Sequence, residues 1–436
     1  MAKIPADRTT AQRRATLGAF VGTAIEWYDF YIFGTAAALV FSKVFYPQAA
    51  EGAALMASFA TFWVGFLARP LGGIIFGHFG DKIGRKNTLI ITLMLMGIAT
   101  AMIGVLPGYA SIGIAAPVLL ILLRALQGIA VGGEWGGAVL LATENASEQN
   151  KGRAGTWVQQ GSPAGSILAT LAFLLVGLLP NEQFLSWGWR IPFLFSAVLV
   201  VVGLVIRAKV EESAAFTEAK ARRKVAEVPV VTVFRVARTA VMLGVLASIL
   251  GISSAYFGNT FLLAWTTGQL KMDRQVILNI FLATAILQFI WQPMAARIAE
   301  RIGVLKLMLG ALGLALLMIV PLFLALLSGN IVFLATMMVL NVFGGSAYYA
   351  LLASTLAAAF PIHVRYTGVS VAYQLCATII GGSTPLVAQA LLVGTGPWSV
   401  AAFYALLVIA TATGVVALER YRLKSLPVDS PAMIGS

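Results

Sequence analysis

Charge is scarce in this 436-residue chain: Asp, Glu, Lys and Arg together make up 11%, against 59% hydrophobic residues and a mean hydropathy of +0.90. Too little polar side chain remains to cover a water-soluble surface of this size, which excludes a soluble globular protein. Cysteine is almost absent, and the single thiol, Cys376, permits neither an internal disulfide nor a cysteine-based metal site. The two histidines, His78 and His363, stand far apart, so no metal and no other cofactor is indicated. Carboxylates are missing from nearly all of the second half, where residues 240 to 418 contain only Asp273 and Glu300, both in loops. Membrane strands are not indicated either, because no apolar run alternates with period two.

What is present is a series of apolar runs of about 20 residues, the length with which a helix crosses roughly 30 Å of hydrocarbon. Twelve are predicted, over 17–45, 55–78, 88–107, 115–143, 153–179, 188–206, 239–265, 275–297, 305–327, 331–358, 367–393 and 397–419. The expected fold class is an all-α integral membrane protein with twelve transmembrane helices. The first run is too long for a signal peptide and no small-residue cleavage site follows a short apolar core, so the first helix is expected to stay. With both termini in the cytoplasm, the outer loops hold only Lys43, Arg190, Lys271 and Arg274, and nearly all other basic residues fall inside. The net charge of +13 is thus topological, and being spread over short loops it forms no nucleic-acid surface.

The chain also repeats itself. Gly77-His78-Phe79-Gly80-Asp81-Lys82-Ile83-Gly84-Arg85-Lys86 after the second run has a weaker echo in Ala296-Arg297-Ile298-Ala299-Glu300-Arg301-Ile302-Gly303 after the eighth. Arg153-Ala154-Gly155 after the fourth has one in Arg365-Tyr366-Thr367-Gly368 after the tenth. Both offsets are close to half the chain and imply a six-helix bundle over 1–206, a cytoplasmic linker over 207–238, and a second bundle with a tail over 239–436. Two such halves carry the expectation of a substrate site near the membrane midplane between them.

Against this apolar background, Glu26, Asp29, Arg69 and Arg124 lie inside the predicted spans. A charge at mid-membrane costs at least roughly 2.5–3.5 kcal/mol, so such residues are usually functional and paired. Glu26 and Asp29, three apart, share a helix face, and repulsion between them makes one a candidate proton carrier; Asp29, the deeper, is favoured. The competing reading leaves both ionised in structural pairs with arginine. By rise per residue Arg124 should stand level with Asp29, and Arg69 nearer Glu26 and Glu134. Either arginine can hold a carboxylate substrate bidentately, or can simply neutralise Glu134. Gly128, Gly132 and Gly136 recur every fourth position, the spacing of close helix packing.

Several motifs together resemble the major facilitator superfamily: Gly77 to Lys86, the run Arg124-Ala125-Leu126-Gln127-Gly128, and the halves with their linker. Glu26-Trp27-Tyr28-Asp29-Phe30-Tyr31, Arg69-Pro70-Leu71-Gly72-Gly73, Gly132-Gly133-Glu134-Trp135-Gly136-Gly137 and Ser186-Trp187-Gly188-Trp189-Arg190-Ile191-Pro192-Phe193 are similar to the metabolite:proton symporter branch. The first half is most like shikimate-type carriers. The resemblance covers essentially the whole chain and is most specific over residues 20 to 195. It departs after the eighth run, where Glu300 stands for the usual Asp and Val304-Leu305 for a basic pair.

That resemblance implies two six-helix bundles in a bacterial cytoplasmic (inner) membrane. It implies a cytoplasmic gate of Gly77, Asp81, Lys82, Gly84, Arg85 and Lys86, with Arg153 and Arg365. The bland alternative for that gate is an ordinary positive-inside loop. The candidate proton-coupling residues are Asp29, Glu26 and Glu134. The candidate substrate contacts are Arg124, Arg69, Tyr28, Gln127, Asn259, Tyr348 and Gln374. In the second half the available groups are neutral hydroxyls and amides: Tyr256, Asn259, Gln288, Gln292, Asn341, Tyr348, Tyr349, Tyr373 and Gln374. The function expected is proton-coupled import of a small organic acid or related polar metabolite by alternating access. The alternative is a proton-antiport exporter of a drug or antibiotic on the same fold. A membrane enzyme lacks support, since no nucleophile–base pair or metal cluster is in evidence. The expected partners are a small-molecule substrate, protons and the lipid bilayer, with no nucleic acid, the protein acting as a monomer.

Overall fold

The computed structural model describes residues 6–83, 85–132, 159–208, 229–361 and 364–425. In the first half the helices are α1 (Ala6–Ala36), α2 (Glu51–Phe76, carried on to Ile83), α3 (Arg85–Val105), α4 (Ala115–Gly132), α5 (Gly161–Gly177) and α6 (Arg190–Ala208). In the second half they are α7 (Arg238–Gln269), α8 (Arg274–Ile302), α9 (Val304–Ser328), α10 (Ile331–Ala358), α11 (Thr367–Thr395) and α12 (Pro397–Ser425). Nine of the described helices are long and apolar enough to cross a membrane. A tenth crossing is α6 with Asn181–Gly188, the two bent by 42° at their junction. The other two are α5 and α1, and α1 carries Glu26 and Asp29 within its apolar stretch.

The helix pairing of the first six recurs in the last six. In the first, α1 packs on α5 and α6, α3 on α4 and α6, and α2 on α4. In the second, α7 packs on α11 and α12, α9 on α10 and α12, and α8 on α10. Between α2 and α4 the packing is backbone on backbone: a Cβ at Gly128 would overlap the Gly65 carbonyl, and one at Gly132 the Arg69 carbonyl. The four-residue glycine spacing therefore serves close approach, and a missing side chain at Gly65 leaves room for the Arg124 guanidinium to lie across α2.

The helices outrun the predicted spans because a helix need not end where the bilayer does: α8 runs on to Ile302 and α1 begins at Ala6. Period reasoning also misses the π turns, Ala37–Phe41 at the end of α1, Phe184–Gly188 ahead of α6, Phe257–Leu262 and Trp265–Gln269 in α7, and Ala377–Gly381 in α11. Each wider turn lies in a helix that meets the opposite half, where π segments commonly mark functional positions. Among the described residues α2 runs to Ile83 and α3 begins at Arg85. At the other echo, α8 passes to α9 through Gly303 alone, at φ +96°, a conformation open to glycine.

Candidate functional site

A cavity of ≈150 Å³ lies between the halves, lined mainly by the second. Asn259 reaches it from the π turn of α7, Gln288 from α8, Asn341, Ser346 and Tyr349 from α10, while Trp27 and Tyr31 of α1 and Ser162 of α5 close the other wall. Asn259 spends its amide nitrogen on the Ala255 carbonyl, 3.1 Å away. No charged side chain lines this cavity among the described residues. Neutral amides and hydroxyls around such a volume suit a small polar or hydroxylated molecule.

Charge lies behind that wall. A second cavity of ≈10 Å³ is lined by Glu26, Trp27, Phe30, Arg69, Tyr256, Tyr373 and Gln374, among others. Arg69 is 6% exposed and donates from Nη1 to Gln374 Oε1 at 3.3 Å, a bond from the first half to the second. Its guanidinium carbon sits 4.4 Å from the centroid of Phe30 and 4.5 Å from that of Phe66. Those ring faces shield the charge from the apolar surroundings while still attracting it.

Deeper in the first half, Asp29 and Arg124 are joined by a polarised chain. Asp29, 1% exposed, accepts from Ser196 Oγ on α6 at 2.6 Å and from Thr100 Oγ1 on α3 at 2.8 Å. Thr100 accepts from Gln127 Nε2 at 2.6 Å, and Gln127 Oε1 accepts from Arg124 Nη1 at 3.1 Å. The single Thr100 proton is shared between the Asp29 carboxylate and the Met96 carbonyl, 2.9 Å away, and the donors of Gln127 and Arg124 run from the cation toward the carboxylate. Arg124, fully buried, lies 4.1 Å from the Phe33 centroid, 4.4 Å from Phe30 and 5.0 Å from Phe62, and donates from Nε to the Phe62 carbonyl.

The two tiers inferred from rise per residue are thus Arg69 with Glu26, and Arg124 with Asp29. Glu26 and Asp29, however, enter different compartments, because three residues on an α-helix turn the side chain by about 60° short of a full circle. Gln127 is held between Arg124 and Thr100 and reaches neither cavity. Tyr28 is fully buried and donates to the Pro192 carbonyl at 2.7 Å; Tyr348 is fully buried and donates to the Ala247 carbonyl. Both hydroxyls join helices within one half. Arg365, two residues before α11, donates from Nε to the Phe360 carbonyl at 3.2 Å. Gly84, Glu134 and Arg153 lie outside the described residues, as do the side chains of Asp81, Lys82, Arg85 and Lys86, whose backbone continues α2 and α3 together with Gly77. The sequence reading passed over Thr100, Ser196 and the phenylalanine cage. Phe30, Phe33, Phe62 and Phe66 at three- and four-residue spacing were the available signal, though the same spacing marks ordinary packing.

Residues 15–230 match the family described as "Sugar (and other) transporter". The chain is 40% identical over 400 residues to the "Shikimate transporter" of Escherichia coli (strain K12), covering 90% of this chain and 91% of that one. It is 38% identical over 423 residues to "Inner membrane metabolite transport protein YhjE" of the same strain, covering 95% and 96%. The chain belongs to the metabolite:proton symporter family of the major facilitator superfamily. It is a multi-pass membrane transporter and not an enzyme. Within that family the "Proline/betaine transporter" of Salmonella typhimurium is 34% identical over 422 residues, covering 92% of this chain and 83% of the relative. The fold is shared with the "Crystal structure of D-xylose-proton symporter", at TM-score 0.73 and 17% identity over 94% of this chain and 97% of that one.

This facilitator's halves are held together on the face opposite Ala6 and Ser425. There Arg274, at the start of α8, donates from Nη2 to the Gly177 carbonyl at 2.8 Å, and Gln275 donates to the Leu174 carbonyl at 3.1 Å. Both acceptors are last-turn carbonyls of α5, the negative end of the helix dipole, and Arg274 also lies 3.9 Å from the Phe184 centroid. Trp63 Nε1 to the Thr378 carbonyl, 2.8 Å, adds a bond from α2 to α11. A charge-assisted bond contributes about 1.5–3 kcal/mol, so its loss should shift a two-state population roughly tenfold or more. Arg274→Gln is therefore expected to open the cavity toward that face. Labelling of Ser254→Cys from that side, in a Cys376→Ala background, should speed up accordingly; an unchanged rate would remove Arg274 from the closure.

Proposed function

We propose that the protein is a proton-coupled symporter that imports a small organic acid or related polar metabolite by alternating access. The observation that carries this reading is the placement of Glu26 and Arg69 around one small chamber immediately behind the wall of a neutral cavity between the halves. The cavity supplies Asn259, Gln288 and Asn341 for hydroxyls, and the chamber supplies Arg69 and Gln374 for a carboxylate. The printed names of the relatives, shikimate, metabolite and proline/betaine transporters, support the same class of cargo.

Depth alone favours Asp29 as the proton carrier, whereas the geometry favours Glu26. Asp29 is enclosed by hydroxyls and tied to Arg124, so it serves as a fixed counter-charge; Glu26 borders the space a substrate can approach. Residues 1–206 and 239–436 are the moving halves and 207–238 their linker, both termini face the cytoplasm, and the membrane is a bacterial inner membrane. The Asp81–Arg85–Lys86 cluster closes the cytoplasmic side, and the protein works as a monomer with substrate and protons.

Proteoliposomes with an imposed pH gradient, acidic outside, test the reading with labelled shikimate, a 2-oxo acid, proline and glycine betaine in parallel. Gradient-driven accumulation of a carboxylate is expected. Substrate driven out against the proton flow would establish antiport instead, and accumulation of betaine alone would sink the organic-acid assignment.

A further inference from the structure

Among the described residues, Trp27 alone lines both cavities. Its half-buried indole stacks on Tyr256 of α7 at a centroid distance of 6.2 Å and 20° between planes, and lies 5.4 Å from Tyr31. On one side is the charge-free cavity of ≈150 Å³; on the other is the chamber with Glu26 and Arg69, whose ≈10 Å³ holds about one water molecule. A chamber of that volume admits neither bulk water nor a substrate carboxylate. Facing Glu26 there are Arg69 from α2, Tyr256 from α7 and Tyr373 from α11, with the Tyr349 hydroxyl of α10 3.3 Å from that of Tyr373.

We propose that Trp27 is the partition that couples substrate to proton. A substrate settling in the neutral cavity displaces the indole from Tyr256, joins the two spaces, and brings its carboxylate to Arg69. Only then does a proton pass between water and the Glu26 carboxylate. Without substrate the wall keeps the charged chamber dry, so protons do not cross uncoupled. An aromatic contact suits this use, because stacking is weak enough for a ligand to replace and bulky enough to exclude water. The inference rests on Glu26 as the proton site.

The test is a substrate-free proton leak. Vesicles carrying the protein and an internal pH dye receive an imposed pH gradient with no transportable solute. Wild type and Trp27→Phe, which keeps a ring at the wall, should dissipate the gradient slowly. Trp27→Ala should do so several-fold faster, and Trp27→Ala/Glu26→Gln should return to the slow rate. Trp27→Leu, closer in bulk, gives an intermediate leak and serves if the alanine variant does not fold. An alanine or leucine leak no faster than wild type, in protein whose wild type accumulates substrate under a gradient, overturns the partition alone. A fast leak that Glu26→Gln leaves intact overturns the proton assignment to Glu26. Wild type that never moves protons with any carboxylate overturns both.

Discussion

Glu26→Gln should abolish uphill accumulation under a pH gradient while leaving substrate exchange across the membrane close to wild type. Glutamine is isosteric but carries no exchangeable acid proton, so the variant resembles a carrier permanently in its protonated form. Such a carrier can bind substrate, change conformation and return loaded, which is all that counterflow requires. It cannot release the proton that makes the inward cycle irreversible in the driven direction, so the steady-state accumulation ratio should fall to that of simple equilibration. Glu26 borders the ≈10 Å³ chamber with Arg69, so removing its charge also leaves Arg69 less compensated, and a modest change in apparent affinity is expected alongside. Preloaded proteoliposomes read both quantities in one preparation. Accumulation that survives in Glu26→Gln would place the translocated proton elsewhere, with Asp29 the next group to test.

Asp29→Asn should behave differently, losing exchange as well as accumulation and losing stability. Asp29 accepts from Ser196 and Thr100 and terminates the chain that begins at Arg124, so an amide there leaves a fully buried cation without its counter-charge. Breaking a buried pair from one side costs about 3–5 kcal/mol, because the remaining charge keeps its desolvation penalty. Removing both charges removes the penalty, so Asp29→Asn/Arg124→Met should regain much of the lost thermal stability in detergent while remaining inactive. Phe30, Phe33 and Phe62, which surround the guanidinium, can pack on a methionine equally well. A double variant no more stable than the weaker single one would mean that Asp29 and Arg124 do not act as a pair.

The two carboxylates, three positions apart in one helix, show where a sequence stops being informative. Their presence in an apolar span makes them candidate functional groups from cost alone, and helical rise sets Glu26 near the level of Arg69 and Asp29 near that of Arg124. Their separate surroundings depend on α3 and α6, which bring Thr100 and Ser196 to Asp29 from 71 and 167 positions away, and on α7 and α11, which bring Tyr256 and Gln374 to Glu26's chamber. A threonine or serine in a membrane helix ordinarily bonds its own preceding turn, so nothing in the local pattern distinguishes the two that reach across. Tyr28, Gln127 and Tyr348 illustrate the reverse: polar groups at mid-membrane look available for a ligand, yet all three are spent on bonds within the first or second half.

By itself, then, the sequence determined the solvent, the helix count, the repeat and the family, because each follows from composition, span length and motifs that are contiguous along the chain. Only the tertiary structure decided which acid borders the small chamber, which rings surround each arginine, and that Trp27 divides a neutral space from a charged one. Those outcomes depend on rotations of about 60° around helix axes and on partners from distant helices, and a linear pattern with a period of 3.6 residues resolves neither.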